Sequence, residues 1–191
     1  MAFSLDLSQL TEQQRAMVQL WEDHVKAEFE DKDAIASCGT MVDEPYVNHV
    51  PAMVGGMGRD HLEHFYANYF IPHNPPDVET ELISRTVGQD RIVDEFVFRC
   101  THTTMIDWLL PGVPPTGRRV ELVLVVIISF ENGKMRAEHI HWDQASALVQ
   151  VGLLDPAQLP VTGAEAARKL LDPTSVPSNE LIKRYVQDEK L

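Results

Sequence analysis

The densest run of proton-carrying residues in this 191-residue chain is His139-Ile140-His141-Trp142-Asp143. Alternate side chains of a strand share a face, so His139, His141 and Asp143 are expected to project together, above Met135 and Ala137. Arg136, Glu138, Ile140 and Trp142 fall on the other face. A face that grades from apolar to ionisable suits a pocket wall, although a strand end reaching solvent has the same pattern. A carboxylate in an apolar hollow has its charged form disfavoured, which moves its pKa toward neutrality. A nearby imidazole can then hold a proton or bind a substrate oxygen, and such a pair supplies ~10²–10⁴-fold by general acid–base catalysis. Asp143 is the candidate catalytic carboxylate, with His139 and His49 as its catalytic partners. His102, His141, Tyr46, Trp108, Trp142 and Glu121 are the candidate substrate-binding residues. Each has a plainer reading: a satisfied core or rim histidine, a core Tyr46, or a dimer contact at Trp108. For Glu121 it is a surface pair with Arg118 or Arg119.

Other chemistries have weaker signals. His139 and His141 with a carboxylate imitate a two-histidine metal site. No histidine follows His141, so a further ligand would have to come from upstream, from His49 or His102; no metal is expected. There is no G-x-S-x-G elbow, and Cys38 and Cys100 lie in no nucleophile motif. Gly55-Gly56-Met57-Gly58 is not a dinucleotide or phosphate loop and is expected to be a helix-entry turn.

The positioning elements follow from periodicity. Thr11 and Gln14 suggest a capping box, followed by one apolar helix face carrying Leu10, Met17, Leu20, Trp21, Val25 and Phe29. A helical stretch over Ala34–Ser37, a short strand over Tyr46–Val50 and a helix over Arg59–Phe70 come next. Strands are predicted over 79–87, 91–104, 118–130 and 134–142, the last two joined by Asn132-Gly133, a strong hairpin signal. The run Leu122–Ile128 lacks alternation, as in strands covered on both faces, so a second subunit or the C-terminal segment is expected on the outer face. A helix follows Asp143 to about Val151, and helical pieces are expected over 163–171 and 179–187. The fold class is therefore α+β: a cone-shaped, curved antiparallel sheet wrapped around N-terminal helices (a cystatin-like roll) with a C-terminal helical tail. Residues 1–154 form the cone domain and 155–191 an appended arm.

Composition narrows the function classes. The chain carries 16 Lys+Arg against 29 Asp+Glu, a formal charge of −13, with 44% hydrophobic and 24% charged residues. That balance argues against nucleic acid and anionic membrane as partners and excludes wholesale disorder. Two cysteines are too few for a disulfide framework. The first residues lack a signal-peptide pattern and the longest apolar run is far short of the ~20 residues that span a bilayer, so a cytoplasmic protein is expected.

Several motifs together resemble a known family. Asn48-His49-Val50-Pro51, Thr101-His102-Thr103, Pro114-Pro115-Thr116-Gly117-Arg118, Asn132-Gly133-Lys134, Glu138, Asp143-Gln144 and Val149-Gln150-Val151-Gly152 resemble the SnoaL-like polyketide cyclase family. That family lies in the nuclear transport factor two-like superfamily, with ketosteroid isomerase and scytalone dehydratase. The resemblance covers roughly residues 10 to 154 and is most specific from Pro114 to Gly152. It implies a cavity-based acid–base catalyst without metal or organic cofactor, with the family's aspartate on Asp143 and its inward histidines on His49 and His102. The usual E-x-W spacing is replaced by Glu138-His139-Ile140, with the tryptophan at 142. The expected function is an isomerase, cyclase or lyase acting on a small carbonyl- or lactone-bearing molecule. The alternatives are a non-catalytic, homodimeric small-molecule-binding module and a metalloprotein built on His139, His141 and an upstream histidine.

Overall fold

The computed structural model describes residues 6–184 and 186. The first five residues, and the part of the last expected helix at 185 and 187, lie outside that range. At the N-terminus the Thr11 hydroxyl accepts from the Gln14 amide (3.2 Å) while the Gln14 side chain accepts from the Thr11 amide (2.9 Å). This reciprocal cap starts α1 (Glu12–Lys26), whose buried face carries Met17, Val18, Trp21 and His24. The helix widens into a π turn (Ala27–Asp31) that ends at Lys32, φ 55°. Asp33 caps α2 (Ala34–Gly39) through the Ala36 amide, 2.9 Å.

The strands are β1 (Met41–His49), β2 (Val54–Met57), β3 (Glu79–Val87), β4 (Arg91–Thr101), β5 (Arg119–Glu131) and β6 (Lys134–Trp142). They form one curved sheet in the order β2-β1-β6-β5-β4-β3. The expected four-stranded meander β3–β6 is present. The sheet is larger and mixed, however, because β1 adds to β6 in parallel. Gly55-Gly56-Met57 belongs to β2 rather than to a turn. Gly55 adopts φ 138°, and a Cβ there would stand 2.2 Å from the Val47 carbonyl oxygen, so only glycine lets β2 close on β1. β4 stops at Thr101, short of Thr104: after the His102 amide donates to the Arg118 carbonyl and the Gly117 amide to the His102 carbonyl, β5 offers no further partner.

The Asn132-Gly133 hairpin has both residues at positive φ (52° and 74°), the backbone of a type I′ turn. The helix after β2 is α3 (Arg59–Phe65); it continues as a second π turn (Tyr66–Phe70) rather than as uniform α-helix. α4 (Gln144–Val151) is capped by Asp143 and ended by Gly152 at φ 80°. Two short helices follow, α5 (Glu165–Leu171) and α6 (Glu180–Lys183).

Helices α1 and α3 fill the concave side of the sheet, and Leu62, Tyr66, Ile92, Phe98 and Ile128 are fully buried between them. The C-terminal segment reaches the other side. The Ser146 hydroxyl donates to the Gly163 carbonyl (3.0 Å), Ala167 is buried, and Arg168 pairs with Glu121 on the outer face of β5 (2.6 Å). The architecture is α+β: an open, cone-like sheet around helices, with helical segments appended at the C-terminus.

Candidate active site

One irregularity in β6 decides which side chains enter the cone. β6 pairs with β5 as Phe130↔Met135, Ser129↔Ala137 and Ile128↔Glu138, which leaves Arg136 as an extra residue in the ladder. A one-residue bulge reverses the parity of everything downstream. Met135 faces the core, and beyond the bulge Glu138, Ile140 and Trp142 face it too.

The expected common face of His139, His141 and Asp143 is therefore turned away from the hollow. The His139 ring meets Tyr46 edge-on at 5.5 Å on the outer side, and His141 is exposed. Asp143 is exposed as well, and its Oδ1 accepts from the Ala145 and Ser146 amides (2.9 and 3.2 Å) as the cap of α4. Glu121 also points outward and pairs with Arg99 and Arg168.

Inside the cone lies a cavity of about 240 Å³. Trp21, Phe29, Phe70, Phe98 and Trp108 supply its aromatic walls, and Leu124, Val126 and Ile140 its aliphatic floor. Of the expected residues, His49 and Trp108 border it. Trp142 packs behind them, its ring centroid 5.9 Å from that of Trp108 and 6.2 Å from that of His49. His49 is ringed by Phe65, Phe70 and Trp108, and its Nδ1–H donates to the Val54 carbonyl (3.1 Å). Burial pushes its pKa down to about 4, so the imidazole is neutral and Nε2 keeps its lone pair. His102 is buried elsewhere, with Nδ1 3.1 Å from the Thr116 hydroxyl, and burial lowers its pKa.

The carboxyl that the last strand delivers into shelter is Glu138, 5% exposed and bordering the cavity. Beneath it, His24 Nε2 lies 3.1 Å from Glu28 Oε1, 3.8 Å from Glu138 Oε2 and 3.4 Å from the Tyr66 hydroxyl. The His24 Nδ1–H donates to the Ser37 carbonyl (3.1 Å) and stands 2.8 Å from the Thr40 hydroxyl oxygen. That bond fixes the ring so that Nε2 faces the carboxyls. Burial by itself would lower the His24 pKa, but Glu28 and then Glu138 outweigh it and raise it to about 9. Burial, reinforced by the Glu28 charge and only partly offset by His24, pushes Glu138 up to about 8. The pair thus holds its protons at neutral pH.

His24, Glu28 and Glu138 present ligand-type atoms within 4.8 Å of one another. The His24–Glu28 hydrogen bond and the imidazole's place between two carboxyls account for that closeness. The expected alternative on His139 and His141 has no counterpart inside the cone, because both rings face outward.

A second buried polar group closes the other wall. Arg85 grips Asp94 through Nε and Nη2, both at 2.8 Å, and reaches Glu22 through Nη1 at 3.0 Å. The Trp21 indole N–H also donates to Asp94 (2.8 Å), and its ring stacks on His24 at 5.7 Å.

A profile of the SnoaL-like polyketide cyclase family matches residues 13–151. The chain belongs to this family. Among solved structures, this SnoaL-like chain is similar to AclR, a putative hydroxylase from Streptomyces galilaeus (22% identity, 82% of this chain and 97% of that one, TM-score 0.57). It is also similar to TsrD from Streptomyces laurentii (20%, 76% and 100%, TM-score 0.57). A third is an NTF2-like protein of unknown function from Burkholderia pseudomallei (20%, 72% and 98%, TM-score 0.54). These likenesses establish the NTF2-like cone fold. No functionally curated protein matches the sequence. No helix among the described residues is long and apolar enough to cross a membrane.

In this SnoaL-like cone the residues that sequence reasoning missed are Glu138, which it put on the opposite face of β6, and His24, Glu28, Arg85 and Asp94. A signal for His24 and Glu28 was present: they stand four apart, His24 on α1 and Glu28 in the π turn that continues it, on the side that carries Trp21 and Val25, and an ionisable pair on an apolar helix face demands an inward partner. The partner came from a strand more than a hundred residues away, and nothing local pointed to it.

Proposed function

We propose that this protein is an acid–base enzyme of the isomerase, cyclase or lyase kind, acting on a small carbonyl- or lactone-bearing molecule inside the cone. The observation that carries the reading is Glu138: a buried carboxyl at the wall of an aromatic cavity, backed by an imidazole, with its pKa near 8. A carboxyl matched to the working pH gives and takes protons with little driving-force penalty. In its ionised form Glu138 removes a proton from the carbon next to the substrate carbonyl and returns it at another position. His24 and Glu28 act as positioning residues that fix its place and proton affinity. Neutral His49 accepts a hydrogen bond from a substrate hydroxyl through Nε2, and the aromatic walls exclude water and orient a flat ligand.

The reading extends to assembly. Val123, Val125, Ile127 and Tyr46 are only half-buried on the outer face of the sheet. An apolar strip of that kind fits a second copy of the chain. Sedimentation of the purified protein as a monomer at all concentrations would remove that element.

The catalytic reading is tested by deuterium exchange at the α-carbons of simple ketones and lactones in D₂O, followed by proton NMR. The native protein is expected to accelerate exchange and Glu138→Gln to lose ~10²–10⁴-fold of that acceleration. Exchange that is absent, or unchanged in the variant, overturns it.

A further inference from the structure

The polar groups around the cavity do not balance. Glu28 and Glu138 are both at least nine-tenths buried and both border the hollow, and His24 is the one cationic group between them. His24 Nε2 carries one N–H. It lies 3.1 Å from Glu28 but 3.8 Å from Glu138, beyond hydrogen-bond length, so the imidazolium serves Glu28. Among the described residues, the two lysine or arginine side chains that border the same cavity are already engaged. Arg85 is clasped by Asp94 and Glu22, and Lys26 pairs with Asp31. If Glu28 and Glu138 were both ionised, one buried negative charge would be uncompensated, which is costly. A proton on Glu138 can compensate it; so can a cation that enters the cavity.

We propose that the cavity takes a ligand with a positively charged nitrogen, a protonated or quaternary amine, seated against Glu28 and Glu138 in place of the proton that otherwise balances them. The walls suit that ligand. Trp21, Phe29, Phe70 and Trp108 surround the hollow, and aromatic faces attract a desolvated ammonium through their quadrupoles. At the rim, Glu22 and Glu30 add negative charge, which favours entry of a cation and opposes a carboxylate. On binding, the Glu138 proton leaves to solvent and the ligand's charge takes over its role. Glu138 is left as the carboxylate, the form that can accept a proton from a carbon acid. The substrate would then switch on its own base.

This inference shares Glu138 with the proposed catalysis, so its test reads binding alone. The probes are benzyltrimethylammonium, its uncharged isostere neopentylbenzene, and phenylacetate, titrated into the full chain by calorimetry. Benzyltrimethylammonium is expected to bind at least about tenfold more tightly than neopentylbenzene, and phenylacetate more weakly than either. Repeating the titration in buffers of different ionisation enthalpy at about pH 7 should show close to one proton released per cation bound. That release should fade as the pH passes about 8, where Glu138 ionises unaided. The other ionisable groups facing Glu138 are His24, Glu28, Tyr66, His49 and the Arg85–Asp94 pair. Glu138→Gln should abolish the proton release and cut the preference for the cation about tenfold or more. If that variant does not fold, as judged by circular dichroism, Glu28→Gln should reduce the preference in the same way.

Equal binding of the cation and its isostere, tighter binding of phenylacetate, no binding of the cation, or binding without proton release each overturns the inference. Cation binding with proton release but no carbon-acid exchange would uphold it and defeat the catalytic reading. Exchange on uncharged ketones with no preference for the cation would do the reverse.

Discussion

Glu138 and His24 meet 3.8 Å apart beneath the cavity, one from the last strand and the other from the first helix. Neither position is informative alone. Together with Glu28 they make a buried group whose proton inventory sets both the chemistry and the stability of the fold.

The two carboxyls near the end of β6 should behave oppositely. Glu138→Gln should lose carbon-acid exchange with the fold kept, because the amide is nearly isosteric but holds no transferable proton. Asp143→Ala should leave exchange intact and cost about 1 kcal/mol of stability, the usual value of a helix N-cap. Urea denaturation and the exchange assay on the same two variants check this. Loss of exchange in Asp143→Ala at full occupancy of the folded state would return the catalytic role to Asp143.

Stability should depend on pH with a definite sign. His24 is raised from 6.5 to about 9 and Glu138 from 4.5 to about 8, so over those windows the folded chain binds more protons than the unfolded one. Their stabilisation is full below the unfolded values and is lost as pH rises. His49 is lowered from 6.5 to about 4, so its contribution is present at higher pH and lost as pH falls through that range. His49 and Glu138 oppose each other on the acid side, and His24 and Glu138 add on the alkaline side. The free energy of unfolding should therefore change less between about pH 4.5 and 6.5, where His49 and His102 oppose Glu138, and fall most steeply between about 6.5 and 8. Urea midpoints across that range test it. His24→Gln should flatten the alkaline limb, and a native profile that rises there would contradict the assignment.

Asp94 should be a structural pivot. It takes two bonds from Arg85 and one from the Trp21 indole, and it is 3% exposed. Asp94→Ala leaves the buried Arg85 guanidinium with Glu22 as its one carboxylate partner among the described residues and leaves the Trp21 indole N–H unpaired, and should cost ~3 kcal/mol. Replacing Arg85 and Asp94 together by apolar residues of similar size should restore most of that loss. A loss under about 1 kcal/mol by chemical denaturation would show that Glu22 or solvent compensates Arg85 without Asp94.

Gly55→Ala should disturb the edge of the sheet. The new Cβ would stand 2.2 Å from the Val47 carbonyl oxygen at φ 138°, so β2 must move away from β1. A loss above about 1 kcal/mol is expected, with hydrogen exchange quickened at the β1–β2 amides. Unchanged protection there would mean that the backbone relaxes without separating the strands.

The sequence by itself determined the elements. A capping box, an Asn-Gly turn, apolar periodicity and a terminal glycine are local devices whose energies are spent within a few residues, so α1, β3–β6 and α4 are legible in order, with β4 drawn three residues too long. It pointed as well to a cone of helices and curved sheet around a hollow, but not to the residues that line it: of those expected there, His49 and Trp108 border it, while His139, His141, Asp143 and Glu121 face outward. Tertiary structure decided which carboxyl enters that hollow. The bulge at Arg136 exists only because β5 and β6 pair out of simple register, and one extra residue exchanges the two faces of everything after it. Partnership across the core was decided at the same level. His24 and Glu138 are brought together by packing α1 against the sheet, and the charge balance of a buried pair depends on that packing and on nothing nearer along the chain.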